Sequence, residues 1–314
     1  MINPLVDSNS ARLTVMMSGA SGMLGVAVRQ SLAARAATVR QLVRHTPTEP
    51  NQLLWDPGAS PALPDRQPLE GLDAAIHLSG SSLAAHRWTA AYKRELVSTR
   101  VQSTRNLVAT LLSLENPPPL LLCASAVGFY GDRGNDLLDE RAAPGSGFLA
   151  ELCQEWEAAS HPATDAGIRV VHLRFGVVLG PHGGALDKML PLFRYGLGGR
   201  LGSGLQWMSW ISLADLVAAA LFALDNPRLS GPVNFTAPHP VTNAEFTHAL
   251  AHTLHRPAVF PAPAFALRVA LGEMADAALL SSTRAIPEKL TDAGFRFTHP
   301  TIDLALNAAL RARQ

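Results

Sequence analysis

The chain has 314 residues, 47% of them hydrophobic and 16% charged, with 26 Lys and Arg against 25 Asp and Glu for a net charge of +1. That length buries a large core as one big α/β domain or two closely joined ones, and so balanced a charge argues against a nucleic acid or an anionic membrane as partner. Two cysteines, Cys123 and Cys153, argue against a disulfide framework; with no leader pattern in Met1–Ser10 and no apolar run of about 18 residues, a cytoplasmic protein without a membrane span is expected.

The first predicted element is a strand over Leu13–Met17, and Met23–Ala34 reads as an amphipathic helix. Between them stands Gly19-Ala-Ser-Gly22-Met-Leu-Gly25. Glycine there permits a tight turn, close approach of backbone to a pyrophosphate, and tight packing of helix on strand. Free N–H groups and the positive end of the helix then face the phosphates. This strand, glycine turn and helix predict a dinucleotide site, with Gly19, Ser21, Gly22, Met23, Leu24 and Gly25 along the pyrophosphate.

The second strand, Thr38–Val43, ends at Arg44-His45, where an NAD-specific site would place an acidic residue on the adenosine ribose. No acidic residue occurs between Asp7 and Glu49. Arg44 offers a planar fork for a 2′-phosphate, and Arg12, Arg29, Arg35, Arg40 and His45 add positive potential. NADP(H) is therefore expected, with NAD(H) as the alternative if Arg44 is only a solvated strand-end charge.

A proline-rich connector, Thr46–Pro68, holds a short strand at Leu53–Asp56, and a buried strand runs from Asp73 to Gly80. One helical region is predicted over Thr89–Leu114, ended by Pro117-Pro-Pro119. A strand at Leu120–Ser125, a helix near Phe148–Ala159 and a strand at Arg169–Arg174 follow. This alternation means a doubly wound parallel sheet with right-handed crossovers, whose ligands bind at the carboxyl ends of strands. Beyond residue 180 come glycine-rich loops around a helix at Leu186–Tyr195, a helix containing Asp215, a late strand at Val233–Phe235 and proline-separated helices. The expected division is a dinucleotide-binding domain over 12–180, with 211–237 returning to its sheet, and a smaller carboxyl-terminal substrate lobe over 181–314.

The entrance glycines, Ala75–Gly80, Ala124–Gly131, Arg174–Pro181, Gly196–Asp215 and Leu271–Asp276 together resemble the extended short-chain dehydrogenase/reductases, in the NAD-dependent epimerase/dehydratase family. More narrowly, the chain resembles the atypical epimerase-like subfamily with a carboxyl-terminal domain of unknown function. The resemblance covers nearly the whole chain and implies a Rossmann sheet. It also implies Asp56 near adenine, Leu78, Ser79 and Gly80 beside the ribose, and Ser125 with Arg174, Phe175, Gly176 and Val177 at the nicotinamide end.

Working members of that superfamily use a Tyr followed four residues later by a Lys, whose ammonium eases proton exchange at the phenol. No such pair exists among Tyr92, Tyr130, Tyr195, Lys93, Lys188 and Lys289. The helix that would carry it reads Gly147-Phe-Leu-Ala-Glu-Leu-Cys-Gln-Glu-Trp-Glu157. Two functions follow from that departure. One is an NADP(H)-dependent oxidoreductase or epimerase with an atypical acid–base group, Tyr130 and Ser125 leading, although an aromatic before Gly131 also suits plain packing. The other is an NADP(H)-binding sensor or regulator that has lost turnover. Arg87, Trp88 and Trp207 are candidate contacts to a small-molecule substrate such as a nucleotide sugar or carbonyl compound, and a homodimer is an open option. His248, His252 and His255 share a helical face opposite Phe246, Leu250 and Leu254, so they are expected in solvent and no metal is expected.

Overall fold

The computed structural model describes residues 12–59, 62–63, 65–313; the segment Met1–Ser10, read above for targeting signals, lies outside them. The strands are β1 (Thr14–Ser18), β2 (Thr38–Val43), β3 (Gln52–Leu54), β4 (Ala74–His77), β5 (Leu120–Ala126), β6 (Leu137–Leu138), β7 (Arg169–Phe175), β8 (Val177–Leu179), β9 (Trp207–Met208), β10 (Trp210–Ser212), β11 (Gly231–Phe235), β12 (Val241–Thr242) and β13 (Arg284–Ala285). The helices are α1 (Met23–Ala34), α2 (Ala90–Val97), α3 (Ser103–Leu112), α4 (Phe148–Ala158), α5 (His161–Asp165), α6 (Gly184–Arg194), α7 (Leu213–Asp225), α8 (Asn243–Leu254), α9 (Ala264–Leu271), α10 (Glu288–Asp292) and α11 (Ile302–Arg311).

Seven strands form one sheet in the order β11-β7-β5-β4-β1-β2-β3, every pair parallel. Side chains alternate across it with a period of two. Val15, Met17, Ile76, Leu120 and Leu122 enter the core packed with α1 and α7. Met16, Ala75, Leu121 and Cys123 enter the opposite core with Leu107, Val108 and Leu111 of α3. Burial of both faces explains why these strands read as continuous apolar runs. A third apolar cluster joins α6, α8 and α11 around Trp210, Phe246 and Leu306.

Two predicted elements differ in detail. The long helix after β4 is α2 and α3 joined through a π-helical turn, Ser98–Gln102, which carries Arg100 inward at 9% exposure. The short connector strand lies at Gln52–Leu54 rather than Leu53–Asp56. Asp56 instead turns back on itself, its Oδ1 accepting from the Gly58 N–H at 2.9 Å.

The chain leaves β1 toward β2 and later returns to β4 on β1's other side. Connections diverge at such a switch point and open a crevice. Gly19 sits there with φ +69°, and a Cβ on it would stand 2.7 Å from the Leu78 carbonyl carbon. A Cβ on Gly25 would stand 2.1 Å from Gly19 O, whereas one on Gly22 meets only that oxygen at 3.5 Å. Gly25→Ala is therefore expected to destabilise the fold by about 1–3 kcal/mol through overpacking, with Gly22→Ala near neutral. Urea denaturation checks the pair; equal midpoints for both variants would contradict the close packing.

Candidate functional site

The carboxyl ends of β1, β2, β4, β5 and β7 supply the site. At the first corner, the Gly22 N–H donates to Gly19 O at 3.1 Å, and α1 begins without a side-chain cap and without an acidic residue in its first turn. Its leading N–H groups are therefore available to an anion. Ser21 and Gly22 are exposed, Met23 and Leu24 half-buried. The Met23 sulfur packs against the turn at Gly180, Gly183 and Gly184, with gaps of 3.2–3.5 Å to where their Cβ atoms would lie.

Arg44, just past β2, is exposed. It makes no hydrogen bond or ion pair among the described residues. Of the other cations expected nearby, Arg35 is neutralised by Asp225 at 2.6 Å and Arg12 is tied to Ala36 O. Arg29 and Arg40 each bury an unpartnered Nε. Beyond β4, Leu78 and Ser79 are half-buried and Gly80 is exposed. Arg100 lies behind Gly80, its NH2 donating to Ser81 O at 2.8 Å and its plane 5.2 Å from the Trp156 ring centre.

At the ends of β5 and β7, Ser125, Tyr130 and Arg174 join one polar network. Arg174 donates to Glu157 of α4 through Nε at 2.7 Å and NH2 at 2.8 Å. Ser125 Oγ donates to the same carboxylate at 2.7 Å. The third guanidinium nitrogen donates to the Tyr130 hydroxyl at 3.0 Å, and that hydroxyl donates to Asn234 Oδ1 of β11 at 2.7 Å. The guanidinium also lies 3.5 Å over the Phe129 ring. Ser125, Tyr130 and Arg174 are 1%, 0% and 3% exposed. Although burial opposes its charge, the Arg174 guanidinium holds the Glu157 carboxyl below its ordinary range. Burial pushes the Tyr130 phenol up to about 12.

Ser125 and Tyr130, the leading acid–base candidates of the sequence, are both buried inside this network. Arg174 spends its side chain on Glu157 and Tyr130, and Phe175, Gly176 and Val177 beyond it are half-buried. On α4, Leu149 and Cys153 stand against Gly128, and burial pushes the Cys153 thiol up to about 12.

The substrate candidates separate. Trp88 is core, packed edge-on to Phe148 at 5.3 Å with its Nε1 donating to Leu83 O at 2.8 Å. Arg87 is exposed and donates to Val269 O at 3.1 Å. Trp207 is half-buried, hydrogen-bonded to Asn135, with the Arg284 guanidinium 4.0 Å over its ring. Arg284 buries an unpartnered Nε. Glu157, Asn234 and Arg284 went unassigned in the sequence. The available signals were a carboxylate on the apolar face of α4 and an asparagine inside an otherwise apolar strand; Arg284, in the two-residue strand β13 that pairs with β6, carried none.

His77 and His172 are buried neutral. His77 Nδ1 lies 2.6 Å from Ser18 Oγ, and His172 Nε2 lies 2.7 Å from Ser160 Oγ. Desolvation lowers each from 6.5 to about 4. The unfolded chain protonates them first as pH falls, so stability present above about pH 6.5 is lost toward pH 4. The expected slope is about 1.4 kcal/mol per pH unit for each histidine. Denaturation midpoints at stepped pH test this, with His172→Gln reducing the slope; a flat profile would contradict it.

The pattern of the NAD dependent epimerase/dehydratase family matches residues 15–235, and a domain of unknown function, DUF1731, matches residues 262–309. The chain is 46% identical over 299 residues to the epimerase family protein Mb2239 of Mycobacterium bovis, covering 95% of this chain and 98% of that one. It superimposes on the human epimerase family protein SDR39U1, solved with NADPH, with TM-score 0.87, 31% identity and coverage of 95% and 99%. It also matches the nucleoside-diphosphate sugar epimerase of Corynebacterium glutamicum with TM-score 0.78 and 34% identity, over 97% of this chain and 59% of that one. No helix among the described residues is long and apolar enough to cross a membrane. The chain belongs to the NAD dependent epimerase/dehydratase family, with a DUF1731 region at its carboxyl end.

Proposed function

We propose that the chain binds NADP(H) across the β1–β4 switch point and acts as an oxidoreductase or epimerase-like enzyme on a small molecule, without a Tyr–Lys proton relay. The observation that carries the reading is the uncapped, carboxylate-free start of α1 beside an unpaired Arg44. Gly19, Ser21, Gly22, Met23, Leu24 and Gly25 hold the pyrophosphate, and Arg44 pairs with the 2′-phosphate. Asp56 lies toward adenine; Leu78, Ser79 and Gly80 border the ribose; the backbone of 175–177 borders the nicotinamide. The human relative solved with NADPH supports this choice of dinucleotide. The nicotinamide supplies a hydride when bound. Ser125, Tyr130 and Arg174 orient the strand ends around it and exclude water.

Trp207 and Arg284 offer an aromatic face and an unpaired cation to an anionic substrate, such as the nucleoside-diphosphate sugar named for the Corynebacterium relative. Residues 12–180 with 211–237 form the dinucleotide part, and 181–314 otherwise form the substrate lobe. The two buried free thiols suit a reducing compartment such as the cytoplasm. A second reading, a dinucleotide-binding regulator without turnover, is favoured by one observation: Leu149 and Cys153 occupy the α4 face where a proton donor would stand.

Arg44→Gln is expected to weaken NADPH binding roughly ten- to a hundredfold while leaving NADH unchanged, the loss of a charge-assisted contact. Calorimetry with both dinucleotides checks it, and equal losses for the two would contradict the assignment of Arg44. Incubation of the loaded protein with carbonyl, quinone and nucleotide-sugar panels then separates the readings. NADPH consumption with any of them supports the enzyme, and tight binding without consumption supports the regulator.

A further inference from the structure

The chain's balanced charge conceals a strongly one-sided surface. Of the eleven large hydrophobic residues that stand exposed among the described residues, eight fall within 192–205 and 259–269, so the exposure is concentrated rather than scattered. Tyr195 is 82% exposed, Phe265 70% and Val269 73%. The two stretches adjoin: the Phe260 N–H donates to Gly198 O at 3.2 Å, the Ala262 N–H to Arg200 O at 2.9 Å, and Arg256 Nε to Arg194 O at 3.1 Å. Phe265 and Val269 lie four residues apart, hence on one face, of α9. That helix contains no buried residue. It is nonetheless anchored, because Arg87 donates to Val269 O and Met274 enters the apolar cluster around Trp88 and Tyr92.

Charge decides what such a face fits. Residues 188–214 and 246–272 contain no Asp or Glu, yet carry Lys188, Arg194, Arg200, Arg256 and Arg268. Arg268 is paired with Asp276; Arg194, Arg200 and Arg256 are exposed and form no ion pair among the described residues. A protein interface core is depleted in charge and gains from shape complementarity. Here single aromatic and aliphatic side chains stand out from separate segments, and of the nearby arginines only Arg268 is matched by a carboxylate. A lipid headgroup layer accepts protruding apolar side chains without a matching shape, and anionic lipids supply the missing negative charge.

We propose that this face, formed by the end of α6, the paired segments after it and α9, docks the protein peripherally on an anionic lipid surface. Tyr195, Phe260, Phe265 and Val269 enter the headgroup layer, and Arg194 and Arg200 meet its phosphates. The test is sedimentation of the full chain with vesicles of phosphatidylglycerol and phosphatidylcholine, and with vesicles of phosphatidylcholine alone, at low and high salt. Wild type is expected to pellet with the anionic vesicles only, and less so at high salt. Phe265→Ser with Val269→Ser, and separately Arg194→Gln with Arg200→Gln, are each expected to lower that affinity about tenfold or more. Both pairs lie in exposed positions, and unchanged circular dichroism confirms that the variants fold. Failure of wild type to pellet with anionic vesicles, equal pelleting with phosphatidylcholine alone, or pelleting of both variants like wild type would overturn the proposal. So would a wild-type dimer in solution that Phe265→Ser with Val269→Ser converts to a monomer without any effect of vesicles, which would make the face a protein interface.

Discussion

The buried pair of Arg174 and Glu157 fixes the geometry at the carboxyl edge of the sheet. One carboxylate and one guanidinium reach β5 through Ser125, the segment after β5 through Tyr130 and Phe129, α4 through Glu157, and β11 through Asn234. A buried ion pair adds little stability relative to well-packed apolar residues, but removing one partner costs several kcal/mol because a charge is left alone. Its effect here is geometric. It holds five segments in one arrangement, and Gly145, whose Cβ would stand 2.1 Å from Tyr130 O, lets a neighbouring loop close against that arrangement.

Ser125, Tyr130 and Arg174 are committed to one another and to Glu157 and Asn234. The superfamily's chemistry uses a phenol of lowered pKa, whereas burial raises the Tyr130 phenol. The first βα corner retains the opposite character: exposed glycine, uncapped helix start and unpaired arginine.

The sheet was legible because its strands are buried on both faces and so read as unbroken apolar runs, and because Gly19 and Gly25 answer to close contacts that no other residue permits. The return of β11 to the sheet edge was visible as two apolar residues, Val233 and Phe235, flanking Asn234. Three features were hidden. The π-helical turn at Ser98–Gln102 leaves helical periodicity almost intact, so α2 and α3 read as one element. The burial of Tyr130 leaves no mark in the sequence, because its hydrogen-bond partner Asn234 lies more than a hundred residues away. The exposed face of α6 and α9 was invisible to net charge, because that sum averages carboxylate-free stretches with the acidic remainder of the chain.

The proposed function makes Tyr130 a structural member of the Arg174–Glu157 network rather than a proton donor. The most direct measurement is Tyr130→Phe, assayed in parallel by urea denaturation and by calorimetric titration with NADPH. Loss of one hydroxyl that both accepts from Arg174 and donates to Asn234 predicts a stability loss of about 1–3 kcal/mol, with NADPH affinity retained. Unchanged stability, together with loss of NADPH binding or of any NADPH-dependent turnover found, would contradict it.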